Sequence, residues 1–189
     1  GHPEVEGTRS QVTEGINMVE NEADVATVEV NNPNMRAVVT QTTQSVDDAA
    51  GIVAANKRRF PQVRETKQQD ICYATQNRQD AIKIMAPQVD VVIVVGSPTS
   101  SNSNRLRELA ERLNTPSYMI DCPEDLQEAW FDGHPRVGLT AGASAPDVLV
   151  QQVIARLRAL GAVAVRRMQG VEEHVRFPLP KGLGGTGLD

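Results

Sequence analysis

Apolar residues in this chain fall into short continuous runs, each followed by a polar loop and then by a stretch where they recur every three or four positions. Short runs bounded by turn residues predict buried strands, and the wider recurrence predicts helices with one buried face. Strands are expected over residues 37–40, 89–95, 117–121 and 136–140, and helices over 77–85, 105–113, 124–131 and 147–160. Another helix is expected from the cap Ser45 to about Arg59, because Asp48 stands three residues after Ser45 and Phe60-Pro61 ends the pattern. In the last helix Val150, Val153, Ile154, Leu157 and Leu160 share one face and should meet the core. Residues 1–13 read as an irregular polar opening, 21–30 as either a short helix or a strand, and 64–70 as a polar link. After Gly161 the pattern weakens, with possible strands at 163–166 and 174–177 and a flexible glycine-rich end over 182–187. Alternating strands and helices predict an α/β fold with largely parallel sheets, in which ligands sit at the carboxyl ends of strands.

Three polar loops lie at such strand ends. They are Gly96-Ser97-Pro98-Thr99-Ser100-Ser101-Asn102-Ser103-Asn104, Thr140-Ala141-Gly142-Ala143-Ser144-Ala145-Pro146, and Thr40-Gln41-Thr42-Thr43-Gln44-Ser45. Backbone N–H groups, hydroxyls and a positive helix end gathered at one place suit a phosphate or diphosphate. Helix capping also favours Ser, Thr and Asn, by about 1 kcal/mol each. Capping accounts for one residue per loop and not for the succession from Ser100 to Asn104. A polyanionic ligand held between sheets is therefore expected.

Composition narrows the class. Hydrophobic residues make up 40% of the 189, as in ordinary globular proteins. Aromatics at 3% and a formal charge of −5 argue against a nucleic-acid partner. The cluster Lys57-Arg58-Arg59 falls at an expected helix C-terminus, where cations oppose the negative end of the dipole. No apolar run reaches membrane-spanning length and no secretory leader is visible, so no membrane partner is expected. Two cysteines, Cys72 and Cys122, make no disulfide framework and fit a cytoplasmic setting. The chain opens Gly1-His2 without a methionine and reads as processed or as a piece of a longer protein.

Candidate chemistry begins at His2-Pro3-Glu4-Val5-Glu6-Gly7, where an imidazole and two carboxylates lie close together. His2 could bind an anion or donate a proton and Glu4 could relay one, or the segment could be a solvated terminus. His134 and His174 read as loop and edge residues, and no His/Cys spacing matches zinc. Cys72 stands just ahead of an expected helix: its thiolate could ligate iron, or it could be a small buried apolar residue. Cys122, between Asp121 and Pro123, reads as strand-end packing, and two cysteines cannot supply four cluster thiolates. There is no G-x-S-x-G nucleophile elbow.

Taken together, these segments resemble the 4-hydroxy-3-methylbut-2-enyl diphosphate reductases, the LytB-type family. The resemblance is carried by Gly1-His2-Pro3-Glu4-Val5-Glu6-Gly7-Thr8, Thr40-Gln41-Thr42-Thr43, Asp70-Ile71-Cys72-Tyr73-Ala74-Thr75 and Asn77-Arg78-Gln79. It continues through Ser100-Ser101-Asn102-Ser103-Asn104-Arg105-Leu106 and Thr140 to Pro146, covering nearly the whole chain in order and spacing.

The resemblance implies reductive removal of an allylic hydroxyl in the non-mevalonate isoprenoid route, giving isopentenyl and dimethylallyl diphosphates. It implies a 4Fe-4S cluster held by three cysteines, with Cys72 matching one; Cys122 has no counterpart, and the other two are absent from this chain. Glu4 matches the proton-relaying glutamate and Thr42 the threonine that bonds the substrate hydroxyl. His2, Ser100, Ser101, Asn102 and Ser144 match diphosphate-binding positions. The implied electron donor is ferredoxin or flavodoxin. The implied fold is three similar α/β domains in a trefoil-like arrangement, the first missing here. Residues 1–68 would be the second, 69–160 the third, and 161–189 a tail packing on the missing first. On this view the chain alone is inactive. A different class of reading is a non-catalytic module that binds phosphorylated metabolites, and a third is a split enzyme whose partner supplies the missing ligands.

Overall fold

The computed structural model describes residues 2–66, 70–133 and 135–170. In chain order the elements are α1 (Pro3–Arg9), α2 (Glu22–Thr27), β1 (Ala37–Val38), α3 (Val46–Arg59) and β2 (Arg64–Glu65). There follow α4 (Tyr73–Met85), β3 (Val91–Val95), α5 (Ser101–Arg112), β4 (Ser117–Ile120), β5 (Val137–Ala141) and α6 (Asp147–Ala159). Among the described residues all strand pairing is parallel: β1 with β2 in one sheet, and β4-β3-β5 in the other. This is the α/β architecture the periodicity predicts.

The central strand β3 is all apolar and fully buried, as a parallel strand covered on both faces must be. Its alternating side chains build two cores. Val92 and Val94 pack with Ile82 and Ala86 at the end of α4 and with Leu106 and Ala110 of α5. Val91, Ile93 and Val95 face Ile120, Leu126 and Val153 on the other side. Each such buried aliphatic side chain contributes about 1.5–3 kcal/mol. In α6 Val153, Leu157 and Leu160 join this second core as the spacing predicts, and Val150 and Ile154 are only partly buried.

Several local expectations are corrected. The opening is helical rather than irregular, because His2 accepts the Glu4 N–H and Pro3 suits the first helical position. The ambiguous stretch 21–30 contains helix α2, started by a reciprocal cap between Asn21 and Asp24. Helices α4 and α5 begin four residues earlier than predicted, at Tyr73 and Ser101, so Cys72 and Ser100 are their caps. Residues 124–131 do not make an α-helix. Tight turns at Pro123–Asp125 and Glu128–Phe131 stand there instead. The Asp125 carboxylate takes the Asp121 and Cys122 N–H groups at 2.8 and 3.1 Å, and these bonds hold its pKa below the usual carboxylate value. Trp130 stacks on Tyr118 at 4.1 Å, which fixes the second turn against β4. Part of the supposed link 64–70 is β2, and residues 163–166 form no strand. The expected strand at 174–177 lies outside the described residues.

The two sheets are joined by a polar seam. Gln79 of α4, only 2% exposed, accepts the Val46 N–H at 3.0 Å and donates to the Gln44 carbonyl at 2.9 Å. Asp47 and Asp48, placed by their charge at the N-terminus of α3, also pair across the seam with Lys83 at 2.9 Å and Arg112 at 2.9 Å. At the other end of α3 Arg58 pairs with Glu22, and Arg59 donates to the Val25 carbonyl, which binds α2 to α3. Among the described residues no helix is long and apolar enough to cross a membrane.

Replacing Gln79 by Leu leaves the Val46 N–H and the Gln44 carbonyl without partners. Urea unfolding of Gln79→Leu is expected to show a loss of about 3 kcal/mol, against less than 1 for an exposed ion pair such as Arg112–Asp48 removed by Arg112→Gln.

Candidate functional site

Helix α5 begins at the carboxyl end of β3 with its polar run in the first turn. Ser100 is the cap, accepting the Ser103 N–H at 3.3 Å. Asn102 is 6% exposed, and neither its amide nitrogen nor its amide oxygen has a partner. Such an orphaned amide costs about 1–3 kcal/mol. It stands at the positive end of a 12-residue helix, beside the free first-turn N–H groups. Gly142, just after β5, is also close: a methyl there would lie in ordinary contact, 3.8 Å from the Asn102 nitrogen.

Opposite this turn lies His2. Its Nδ1 accepts the Glu4 N–H at 3.2 Å, which leaves the ring proton on Nε2. That nitrogen is hydrogen-bonded to Ser101 Oγ, so Ser101 accepts from the ring and keeps its own proton for another acceptor. Residues 99 positions apart are thus joined at one helix start.

The third group forms around Thr42. Both Glu4 carboxylate oxygens are engaged by this residue, the Thr42 N–H donating at 3.0 Å and the Thr42 hydroxyl at 3.1 Å. The Thr42 carbonyl accepts the Cys72 N–H at 3.0 Å. Cys72 caps α4 without using its side chain, and it is exposed rather than buried among apolar residues. Its sulfur therefore stands free at the N-terminus of α4. The Asp70 carboxylate accepts the Thr40 N–H at 2.7 Å and keeps the Thr40 loop against the Cys72 segment.

Helices α1, α4 and α5 and the loop after β1 thus bring His2 to Ser101, and bring both Glu4 and the Cys72 backbone to Thr42. Ser144 lies two residues beyond Gly142 on the loop after β5, exposed and with no hydrogen bond among the described residues. Cys122 caps a turn after β4, where burial raises its thiol pKa above the ordinary value. His134 and His174 lie outside the described residues. Asp70, Arg78 and Gln79 escaped the sequence reading as positioning groups. Arg78 donates to the Ala141 and Ala74 carbonyls at 3.2 and 3.1 Å and ties the loop after β5 to α4. Gln79 carried a signal, since Thr75, Gln79 and Ile82 share one buried face and a polar residue there needs partners.

Among the described residues no group of three or more His, Cys, Asp or Glu side chains could hold a metal ion. The one exposed thiol near the site, Cys72, does not fit a whole iron–sulfur cluster.

Polar strand-end loops and helix starts gathered beside a carboxylate and an exposed thiol, on parallel sheets, define an α/β protein with its candidate site at the carboxyl ends of strands. The chain belongs to the LytB family: the family model described as LytB protein matches residues 1–158. It is 71% identical over its full length to the 4-hydroxy-3-methylbut-2-enyl diphosphate reductase of Methylibium petroleiphilum, of which it covers 57%. It is 68% identical over 97% of its length to that of Polaromonas sp., covering 55%. The corresponding figures for reductase 2 of Burkholderia mallei are 62%, 97% and 56%. The chain thus spans little more than half the length of these curated relatives. The solved structure of the E-1-hydroxy-2-methyl-but-2-enyl-4-diphosphate reductase from Plasmodium falciparum matches 74% of this chain and 44% of its own, at 35% identity and a TM-score of 0.69. The resemblance drawn from the motifs is upheld.

If Asp70 holds the Thr40 loop, Asp70→Ala should speed amide exchange at Thr40 by about tenfold or more, the loss of one charge-assisted bond. Exchange in β3 should stay unchanged in the same hydrogen-exchange experiment.

Proposed function

We propose that this chain carries part of the active site of a 4-hydroxy-3-methylbut-2-enyl diphosphate reductase. The observation that carries this reading is the buried, unpartnered amide of Asn102 at the start of α5, beside Ser100 and the His2–Ser101 pair. An allylic diphosphate presents acceptor oxygens, and this place offers donors: two serine hydroxyls, an amide and helix N–H groups. His2, Ser100, Ser101, Asn102 and Ser144 bind the diphosphate. Ser144 reaches it from the loop after β5.

The reaction removes the allylic hydroxyl as water, taking up two electrons and two protons and giving isopentenyl or dimethylallyl diphosphate. Hydroxide is a poor leaving group unless protonated. Glu4 supplies that proton and Thr42 bonds the hydroxyl, the two being already joined through both carboxylate oxygens. The electrons come from ferredoxin or flavodoxin in a cytoplasmic setting. Cys72 would be one thiolate ligand of a 4Fe-4S cluster, whose remaining thiolates would come from outside this chain, since its other cysteine, Cys122, stands at a turn after β4. Residues 1–68 and 69–160 act as the second and third α/β domains of the whole enzyme, with 161–189 as a tail against the first.

Two experiments test this. Asn102→Leu removes an orphaned amide while keeping the shape, so its thermal midpoint should rise, the gain being about 1–2 kcal/mol. Its affinity for inorganic pyrophosphate, by titration calorimetry, should fall about tenfold. An affinity equal to the parent's would sink the diphosphate assignment. Anaerobic reconstitution of this chain with iron and sulfide should leave it without a stable cluster, read as iron bound per chain after gel filtration. A full complement of iron and sulfide would show that Cys72 needs no outside ligands.

A further inference from the structure

Ser103 is 1% exposed and lies between the ends of two strands. A methyl group at Gly96, after β3, would fall 2.2 Å from its Oγ, and one at Gly142, after β5, would fall 2.3 Å from it. Both glycines are therefore required by the volume of this one hydroxyl. Capping of α5 does not need this hydroxyl, since the cap is made by the Ser103 N–H donating to Ser100 Oγ.

The Ser103 hydroxyl donates to the same atom. Ser100 Oγ receives the Ser103 N–H at 3.3 Å and the Ser103 O–H at 3.1 Å. A serine hydroxyl has two acceptor sites and one proton. With both acceptor sites filled from beneath, Ser100 can only donate, and its proton is directed away from the helix. We propose that Ser103 is a positioning residue that makes Ser100 an obligate donor to an acceptor-only anion, the phosphoryl group of the substrate. This rests on the reading that the start of α5 binds a diphosphate. It also gives a source of selectivity: a ligand that presents a donor to Ser100 finds no lone pair to receive it. Ser101 receives one such bond, from His2, and keeps one acceptor site open.

The test is calorimetric titration of inorganic pyrophosphate into this chain, its Ser100→Ala, Ser103→Ala and Gly142→Ala variants, and the double variant S100A/S103A. Ser103→Ala should weaken binding about tenfold, as expected for one misdirected bond to a charged group. Gly142→Ala should do likewise, because its methyl displaces the hydroxyl while Ser103 stays in place. It carries the test if Ser103→Ala does not fold. The double variant should bind no more weakly than Ser100→Ala, since Ser103 acts only through Ser100. Losses that add, or Ser103→Ala binding as well as the parent while Ser100→Ala does not, would overturn the role of Ser103 and leave the diphosphate reading standing. A parent that binds no pyrophosphate, or Ser100→Ala or Asn102→Leu binding as the parent does, would overturn the diphosphate reading and this inference with it.

Discussion

The loop between β1 and α3 cannot satisfy its own backbone, and the rest of the site depends on where it finds partners. Its Thr40 N–H goes to Asp70, its Thr42 carbonyl to the Cys72 N–H, and its Gln44 carbonyl and Val46 N–H to Gln79. All three partners, Asp70, Cys72 and Gln79, belong to the segment that opens the second sheet's unit. A buried backbone group without a partner costs about as much as a lost hydrogen bond, so the two units are held in one register by polar bonds rather than apolar packing. That register fixes Thr42 beside Cys72. Glu4 then follows, because both oxygens of its carboxylate bond Thr42.

The second sheet supplies the rigid side of the same place. Because β3 is apolar on both faces, α4 and α5 cover one side and the β4–α6 region the other. The strand therefore ends abruptly against a helix start. Gly96 and Gly142 let α5 approach so closely that Ser103 is enclosed between them. Rigid apolar packing below allows a buried amide at Asn102 to persist without a partner above. On the proposed reading, a ligand that engages this amide recovers the free energy it costs the fold, stability being lowered where binding is gained.

Much of this was legible from residue types alone. The strands, α3 with its Ser45 cap, and the strand-end loops followed from the spacing of apolar residues and the placing of Ser, Thr, Asn and Gly. Helix starts were read too late at Tyr73 and Ser101, because runs of Thr, Gln, Ser and Asn carry no apolar period even when they are helical. The opening was misread for the same reason, since α1 buries no residue and is held by the His2 cap and the contacts of His2 and Glu4. The stretch 124–131 failed differently: Trp130 on Tyr118 and Asp125 on two backbone N–H groups favour tight turns over a helix that the polar pattern allowed.

The sequence by itself determined the α/β class, the parallel sheets and the three loops at strand ends, since these depend on local period, turn chemistry and helix caps. It also carried the family resemblance, which implied a shared site for His2, Glu4, Thr42, Cys72, Ser100, Ser101, Asn102 and Ser144. Only the tertiary structure decided how these side chains meet: that His2 reaches Ser101, that Glu4 spends both oxygens on Thr42, that Asn102 is left without a partner, and that Ser103 fills the gap between two glycines. Such contacts join residues tens of positions apart. They are set by the relative placement of packed elements, which no local pattern encodes.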